Sequence, residues 1–236
     1  MQEADLHLER DRLIENELRN RGITDQAVLR AMRDVPREEF VSEEMRKFAY
    51  RNAPLPIGSG QTISQPYIVA LMTQALELAP DERVLEIGTG SGYAAAILSQ
   101  LANEVYTIER LGDLARSAQA RLKRLGYANV YILHADGTLG WKEHAPFDAI
   151  VVTAGGPKVP PALLEQLRIG GRLVIPVGAE RDEQQLIRVV RRGKDDFETE
   201  DLGGVLFVPL IGEAGWHDRF ATGWRDGSET GSALDP

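Results

Sequence analysis

The sequence has no cysteine and only four histidines. Without cysteine the chain can form no disulfide, no thiolate metal site and no cysteine nucleophile. The histidines also lack the spacing of a metal-ligand set, so we expect no metal. They are His7, His134, His144 and His217.

Long apolar runs and an excess of positive charge are also missing. No apolar run reaches the length of a membrane-spanning helix, and the first residues, MQEADLHLERDR, lack the apolar segment of a secretory signal. Acidic residues outnumber basic ones by 36 to 27, and the net charge of −9 disfavours general attraction to nucleic acid or anionic membranes. We therefore expect a cytoplasmic protein whose partners include neither nucleic acid nor membranes.

The most informative stretch is VLEIGTGSGY at 84–93. Its apolar start, 84–87, predicts a buried parallel strand, and a helix is predicted over 94–102. Between them lies a turn with few side chains, whose backbone N–H groups can approach a ligand closely. Such a turn, at a helix N-terminus and a sheet edge, is typical of a nucleotide site. The turn consists of Gly88, Thr89, Gly90, Ser91 and Gly92.

The glycine spacing disfavours a dinucleotide. In the dinucleotide pattern a third glycine would stand where this chain has Tyr93, although an NAD-linked dehydrogenase stays open as an alternative. Glu86 precedes the first glycine, and the pattern E-x-G-x-G-x-G resembles motif I of S-adenosylmethionine-dependent methyltransferases. Glu109 follows the next predicted strand, about 20 residues after the first glycine, where a carboxylate can accept both ribose hydroxyls.

Strands and helices alternate through the rest of the chain, which predicts right-handed crossovers and an α/β fold. We expect a doubly wound, Rossmann-like methyltransferase sheet, mostly parallel, with one antiparallel strand near the C-terminus. That antiparallel pairing is predicted between 185–191 and 205–210, which no helix separates. The other strands are predicted at 84–87, 105–108, 130–133, 147–153 and 172–177, with helices at 94–102, 111–125 and 159–167.

The residues before the sheet predict a helical cap and a loop. Helices are expected over 3–21, with Gly22 as C-cap, and after Thr24 or Asp25 as N-cap. Closely spaced prolines and glycines predict an irregular loop after residue 49, and the next helix is expected over 65–78 with Ser64 at its N-cap. Ser64 can simply cap this helix or also present its hydroxyl to a carboxylate substrate.

One family resembles nearly the whole chain. The segment AYRNAPLPIGSGQTISQP at 49–66 resembles a signature of the protein-L-isoaspartate O-methyltransferases, with Asn52 standing where that family often has aspartate. The resemblance continues through further segments and ends near residue 222. These are VPREEFV at 35–41, VYTIER at 105–110, ADG at 135–137, FDAIVVTAG at 147–155, GGRLVIPVG at 170–178 and FVPLIGEAGW at 207–216.

The resemblance implies S-adenosyl-L-methionine as cofactor and S-adenosyl-L-homocysteine as its product. It places Asp136 and Gly137 near the adenine, where Asp136 either accepts from the exocyclic amine or only forms an Asx turn. The implied cofactor-binding residues are Glu86, Gly88, Thr89, Gly90, Ser91, Gly92, Glu109, Arg110, Asp136 and Gly137.

The implied reaction methylates the free α-carboxylate of L-isoaspartyl residues, with the β-carboxylate of D-aspartyl residues as a further acceptor, and so begins repair through a succinimide. A carboxylate with a pKa of about 4 is already ionised at neutral pH, so no general base is needed. Ser64 is the residue expected to orient this carboxylate, and Thr62 and Ile63 are expected to shape the cleft. The backbone of Val208, Pro209 and Leu210 either pairs with an extended substrate peptide or is ordinary core.

Three other functions remain open: another S-adenosylmethionine-dependent O-methyltransferase, a nucleic-acid methyltransferase and a non-catalytic adenosylmethionine-binding protein. Amino-group nucleic-acid enzymes carry an N/D-P-P-Y/F segment where this chain has TAGG at 153–156. We expect a monomer with one methyltransferase domain over 1–224 and a disordered tail over 225–236. Within the domain, 1–78 would form the cap and substrate loop and 79–224 the cofactor-binding core.

Overall fold

The computed structural model describes residues 3–217, so the predicted tail and the end of the predicted domain lie outside the described residues. A sheet of seven strands carries helices on both faces, and a two-stranded hairpin precedes it. The strands are β1 Leu55–Gly58, β2 Gln61–Ile63, β3 Arg83–Ile87, β4 Glu104–Glu109, β5 Val130–His134, β6 Phe147–Val152, β7 Leu167–Val177, β8 Gln184–Arg191 and β9 Phe197–Val205. The helices are α1 Glu3–Arg12, α2 Gln26–Asp34, α3 Pro66–Ala75, α4 Tyr93–Ser99, α5 Gly112–Arg124 and α6 Pro161–Gln166.

The sheet has the order β5-β4-β3-β6-β7-β8-β9. Strands β3 to β7 run parallel, and β8 is antiparallel to both of its neighbours, which confirms the predicted fold with its one reversed strand. The chain proceeds from β3 outward to β5 and then crosses to β6 on the other side of β3. In such sheets ligands bind at the carboxyl ends of the strands where the order reverses, here between β3 and β6.

The last strand differs from its prediction. The partner of β8 is Phe197–Val205, not 205–210. This strand lies at the edge of the sheet and most of its residues are exposed, so it has no apolar alternation to reveal it. The more apolar 207–210 crosses the carboxyl end of the sheet instead, where Gly155 N–H donates to Val208 O at 2.8 Å and Leu210 N–H donates to Gly155 O at 2.8 Å.

The predicted irregular loop contains a small hairpin, in which β1 pairs antiparallel with β2. Helix α3 begins at Pro66 with Gln65 as its N-cap, so the prediction that Ser64 caps this helix is wrong. The proline moves the helix start one residue later because it prefers the first helical turn. Asn52 acts as a remote cap, since its Oδ1 accepts from Tyr67 N–H at 3.1 Å.

The N-terminal helices are confirmed. Helix α1 continues through a π-helical turn, Leu13–Leu18, and a 3-10 turn, Arg19–Arg21, to Gly22, whose φ of +95° closes it. Asp25 caps α2 by accepting from the N–H of Ala27 at 2.7 Å.

These helices share one hydrophobic core with a face of the sheet. Ile14, Leu29 and Met32 belong to the same buried cluster as Val84 of β3 and Val105 of β4. The opposite face of the sheet buries a second cluster, which includes Leu85 and Ile87. The alternation of Val84 and Leu85 between clusters follows from the two-residue period of a strand. None of the helices within residues 3–217 combines the length and the hydrophobicity of a membrane-spanning segment.

Candidate active site

A cavity of about 1020 Å³, including space open to solvent, lies at the carboxyl ends of β3, β4 and β6. Its position coincides with the reversal of strand order, as the topology requires. Most of the predicted site residues line it: Thr62, Ile63, Ser64, Glu86, Gly88, Thr89, Gly90, Ser91, Glu109, Arg110, Gly137, Val208, Pro209 and Leu210. Gly92 and Asp136 do not line it.

The glycine turn places backbone directly against the cavity. Gly88 has a φ of +99°, and a Cβ there would stand 2.4 Å from Thr153 Oγ1. Thr153 Oγ1 donates to the carbonyl of Gly88 at 2.8 Å, so this contact holds the turn against the end of β6. Gly92 is the N-cap of α4, and a Cβ on it would meet Leu122 of α5 at 3.1 Å. Gly92 therefore permits close packing of α5 behind the turn.

Glu109 connects the glycine turn to the end of β4. Its Oε2 accepts from Gly90 N–H at 2.9 Å, and its Oε1 accepts from Leu111 N–H at 3.0 Å. Each carboxylate oxygen has a second lone pair, so Glu109 can also accept hydrogen bonds from the hydroxyl groups of a ligand in the cavity.

Glu86 lies completely buried beneath the cavity, with 0% of its surface exposed. Its Oε2 accepts from Thr107 Oγ1 at 2.6 Å, while its Oε1 has no hydrogen-bond partner among residues 3–217. Burial raises the pKa of Glu86 to about 8, against the hydrogen bond from Thr107 and with a contribution from the charge of Glu109. A cation bound beside this carboxyl would favour its ionised form, so the free oxygen at the cavity is suited to a cationic ligand.

Asp136 makes a turn behind the cavity. Its Oδ1 accepts from Thr138 N–H at 2.9 Å and from Thr138 Oγ1 at 2.7 Å, which is an Asx turn. Its Oδ2 accepts from Glu213 N–H at 2.8 Å, so the carboxylate also holds the segment that follows Leu210. A contact between Asp136 and adenine stays a prediction.

A second, open groove joins the cavity. It spans about 2560 Å³, including space open to solvent, between α3 and the segment after β9. Four residues line both the cavity and the groove: Thr62, Ser64, Thr153 and Val208. The Ser64 hydroxyl has no hydrogen-bond partner within residues 3–217, so it is free to donate at this junction.

Sequence reasoning missed Thr153, Tyr93 and Arg37. Thr153 directly follows β6, and the rule that ligands lie at the carboxyl ends of strands could have identified it. Tyr93 lines the cavity from the first turn of α4. The burial of Arg37 has no sequence signal, because an arginine is normally exposed. Within residues 3–217, no group of three or more His, Cys, Asp or Glu residues could hold a metal ion.

Comparison with known proteins identifies relatives over most of the chain. Residues 8–215 match the model of the family described as protein-L-isoaspartate(D-aspartate) O-methyltransferase. A protein-L-isoaspartate O-methyltransferase from Pelobacter propionicus is 63% identical over 207 residues, which cover 88% of this chain and 92% of that protein. One from Protochlamydia amoebophila is 56% identical over 204 residues, covering 86% of this chain and 97% of that protein.

Solved structures agree. A protein-L-isoaspartate O-methyltransferase matches with a TM-score of 0.80 and 29% identity, covering 87% of this chain and 67% of that one. A second, from Plasmodium falciparum in complex with S-adenosyl-L-homocysteine, matches with a TM-score of 0.75 and 29% identity, covering 86% and 98% of the two chains. With the glycine turn, Glu109 at the end of β4 and the joined groove, these matches lead to one conclusion: the chain belongs to the protein-L-isoaspartate(D-aspartate) O-methyltransferase family.

Proposed function

We propose that this protein transfers a methyl group from S-adenosyl-L-methionine to the free α-carboxylate of L-isoaspartyl residues in proteins, and so begins their repair. The observation that carries the proposal is the junction at Ser64 and Thr62, where the cavity joins a long groove that is open to solvent. A small-molecule donor and a protein acceptor could meet there. Family membership supports the same activity.

The cavity residues fit the proposed cofactor. The backbone at Gly88 and Gly90 allows close approach, and Glu109 can accept the ribose hydroxyls. The free Oε1 of Glu86 suits the ammonium group of the cofactor's amino acid portion. S-adenosyl-L-methionine supplies an electrophilic methyl on a sulfonium, and the Plasmodium falciparum relative was solved with the demethylated product.

The chain's own contribution to the reaction is positioning. The acceptor carboxylate, with a pKa of about 4, is already ionised, so no residue has to remove a proton. The Ser64 hydroxyl, free at the junction, donates a hydrogen bond to this carboxylate and orients it toward the donor. Thr62 and Ile63 shape the cleft around it. Holding the two reactants in the correct geometry can lower the activation free energy by several kcal/mol.

The segment after β9 is proposed to bind the flanking peptide. The backbone of Val208 and Leu210 already bonds Gly155 on one side, and Val208 also lines the groove. The remaining cofactor contacts proposed are those of Thr89, Ser91, Arg110 and Gly137, which line the cavity.

We further propose that the protein works as a cytoplasmic monomer without nucleic acid or membrane partners, and that D-aspartyl residues are a secondary acceptor. The net charge of −9 supports the lack of attraction to nucleic acid and anionic membranes.

The test is transfer of labelled methyl from S-adenosyl-L-methionine to two peptides that differ only in one isoaspartyl or aspartyl linkage. We expect methyl ester on the isoaspartyl peptide alone. Ser64→Ala should lower kcat/KM about tenfold to a hundredfold, the effect of losing one hydrogen bond to a charged group. The matched control is Ser117→Ala, an exposed serine on α5 that does not line the cavity, which should leave kcat/KM unchanged.

Two outcomes would contradict the proposal. Equal methylation of both peptides would indicate another S-adenosylmethionine-dependent O-methyltransferase. Cofactor binding without transfer to either peptide would indicate a non-catalytic binding protein.

A further inference from the structure

Arg37 is a buried cation between the substrate loop and the cofactor cavity. It begins the 3-10 turn Arg37–Phe40 that follows α2, and 0% of its surface is exposed. Burial lowers the pKa of Arg37, although the Tyr93 and Tyr50 side chains act in the opposite direction. An arginine stays protonated despite such a shift, so a full positive charge is enclosed here.

The guanidinium joins two points of the chain that bracket the hairpin. Its Nε donates to the carbonyl of Ala49 at 2.9 Å, and its Nη2 donates to the carbonyl of Ser64 at 2.7 Å. The segment between these two carbonyls contains both β1 and β2. One rigid, planar group thus holds the two ends of the loop that carries the predicted substrate residues.

The same guanidinium also contacts the cofactor cavity. Its central carbon lies 4.8 Å from the centroid of the Tyr93 ring, a cation–π distance. Tyr93 lines the cavity and begins α4 directly after the glycine turn. Arg37 therefore connects the backbone of Ser64 to a wall of the cavity.

This arrangement differs from the usual way of burying an arginine. No carboxylate forms an ion pair with Arg37 among the described residues, and its Nη1 is buried without a hydrogen-bond partner there. Burying a cation without a carboxylate is costly for folding. One of the two hydrogen bonds that Arg37 does make leads to Ser64, whose hydroxyl is free at the junction of cavity and groove.

We propose that Arg37 is a positioning residue for the methyl acceptor. It fixes the backbone of Ser64 so that the hydroxyl stands at the junction, and its contact with Tyr93 sets this position relative to the cofactor cavity. The proposal rests on the function proposed above, in which Ser64 binds the acceptor carboxylate.

The first variant is Arg37→Lys, which keeps the charge but cannot donate to two separated carbonyls while also contacting the Tyr93 ring. We expect the KM for an isoaspartyl peptide to rise about tenfold, the effect of losing one such hydrogen bond. The dissociation constant for S-adenosyl-L-homocysteine should change less than about twofold, since Arg37 is not among the residues that line the cavity.

Arg172→Lys is the matched control. Arg172 is also buried and also donates to two backbone carbonyls, those of Leu76 at 2.6 Å and Glu77 at 2.6 Å, but it lies near the amino end of the parallel strands. The Arg172→Lys variant should lower the melting temperature at least as much as Arg37→Lys and leave the peptide KM unchanged. Equal effects of the two variants on this KM would overturn the proposal.

A double-variant cycle separates positioning from general stability. In a Ser64→Ala background the hydroxyl that Arg37 positions is absent, so Arg37→Lys should raise the peptide KM by less than threefold. If the effects of the two substitutions multiply instead, Arg37 does not act through Ser64. If the lysine variant fails to fold, Arg37→Gln, which buries no charge, replaces it in the same cycle. A KM change below threefold in the Ser64→Ala background then supports the proposal, and multiplying effects contradict it.

The outcomes also separate this proposal from the proposed function. Failure of the wild-type protein to methylate the isoaspartyl peptide contradicts the function itself. A wild-type protein that is active, with a peptide KM that Arg37→Lys does not change, contradicts only the role of Arg37.

Discussion

Two buried glutamates stand at opposite ends of β3 and have opposite electrostatic environments. Glu82 precedes the strand and is 7% exposed, and Glu86 lies near its carboxyl end with no exposure. Glu82 accepts from Arg172 at 2.7 and 2.8 Å and from Arg168 at 2.9 Å. Glu86 accepts one hydrogen bond from Thr107 and meets no cation among residues 3–217.

The pKa values of these carboxyls shift in opposite directions. Burial pushes both upward, but for Glu82 the hydrogen bonds from Arg172 and from Ala79 N–H, with the charges of Arg172 and Arg168, outweigh burial and lower its pKa. For Glu86 burial dominates and raises the pKa to about 8. The amino end of the strand thus has its charges paired within the fold, which serves stability. The carboxyl end leaves an acid available to a ligand.

The largest expected effect is at the amino end of β3, where Glu82 is paired with Arg172. Glu82→Ala would leave Arg172 buried without its carboxylate, and breaking a buried pair in this way costs about 3–5 kcal/mol. Urea unfolding followed by circular dichroism measures this loss. The control is Glu9→Ala, which removes the exposed pair with Arg12 and should cost less than about 0.5 kcal/mol. Similar losses for both variants would show that Glu82 and Arg172 do not stabilise the fold.

The next effect concerns the unpaired end. Glu86→Gln keeps the shape of the side chain but removes the ionisable carboxyl, so the affinity for S-adenosyl-L-methionine should fall about tenfold to a hundredfold. Isothermal titration calorimetry measures the dissociation constant. The free energy of unfolding without cofactor should not decrease at pH 7, because the amide needs no ionisation in a buried site. If Glu86→Gln instead lowers the free energy of unfolding and leaves the dissociation constant unchanged, Glu86 serves stability and not cofactor binding.

The pH dependence of stability gives a third test. The pKa of Glu86 is raised from its ordinary value of 4.5 to about 8. At a pH between these two values, Glu86 therefore keeps its proton in the folded protein and loses it in the unfolded chain. The stability of the cofactor-free protein should therefore fall as pH rises from 4.5 to 8, relative to Glu86→Gln. The difference in slope should not exceed about 1.4 kcal/mol per pH unit. Urea unfolding at several pH values measures it, and parallel profiles would argue against a protonated Glu86.

The smallest expected effect is at Asp136, whose carboxylate is already occupied by backbone N–H groups. Asp136→Ala should destabilise the protein by about 1 kcal/mol through loss of the cap to Thr138. Thermal unfolding measures this change. If Asp136 also contacts adenine, the affinity for S-adenosyl-L-homocysteine should fall as well. An unchanged affinity would limit Asp136 to the Asx turn.

Sequence patterns predicted the parts of the site that lie on regular elements. Glu86 and Glu109 were identified because each stands at or near the end of a strand whose apolar run is unmistakable. The final strand was misplaced because β9 is an exposed edge, where burial imposes no pattern. The hairpin was missed because a turn at Ser59 and Gly60 allows two short strands to pair among prolines and glycines.

By itself, the sequence determined the family, the sheet and the position of the glycine turn, since strand periodicity, glycine spacing and caps are local properties of the chain. Only the tertiary structure decided which charges are paired. Arg172 reaches Glu82 across 90 residues, whereas Arg37 meets two carbonyls and a ring but no carboxylate among residues 3–217. The physical reason is that pairing and burial depend on which distant segments the fold brings together, and the ionisation of Glu86 follows from that assembly.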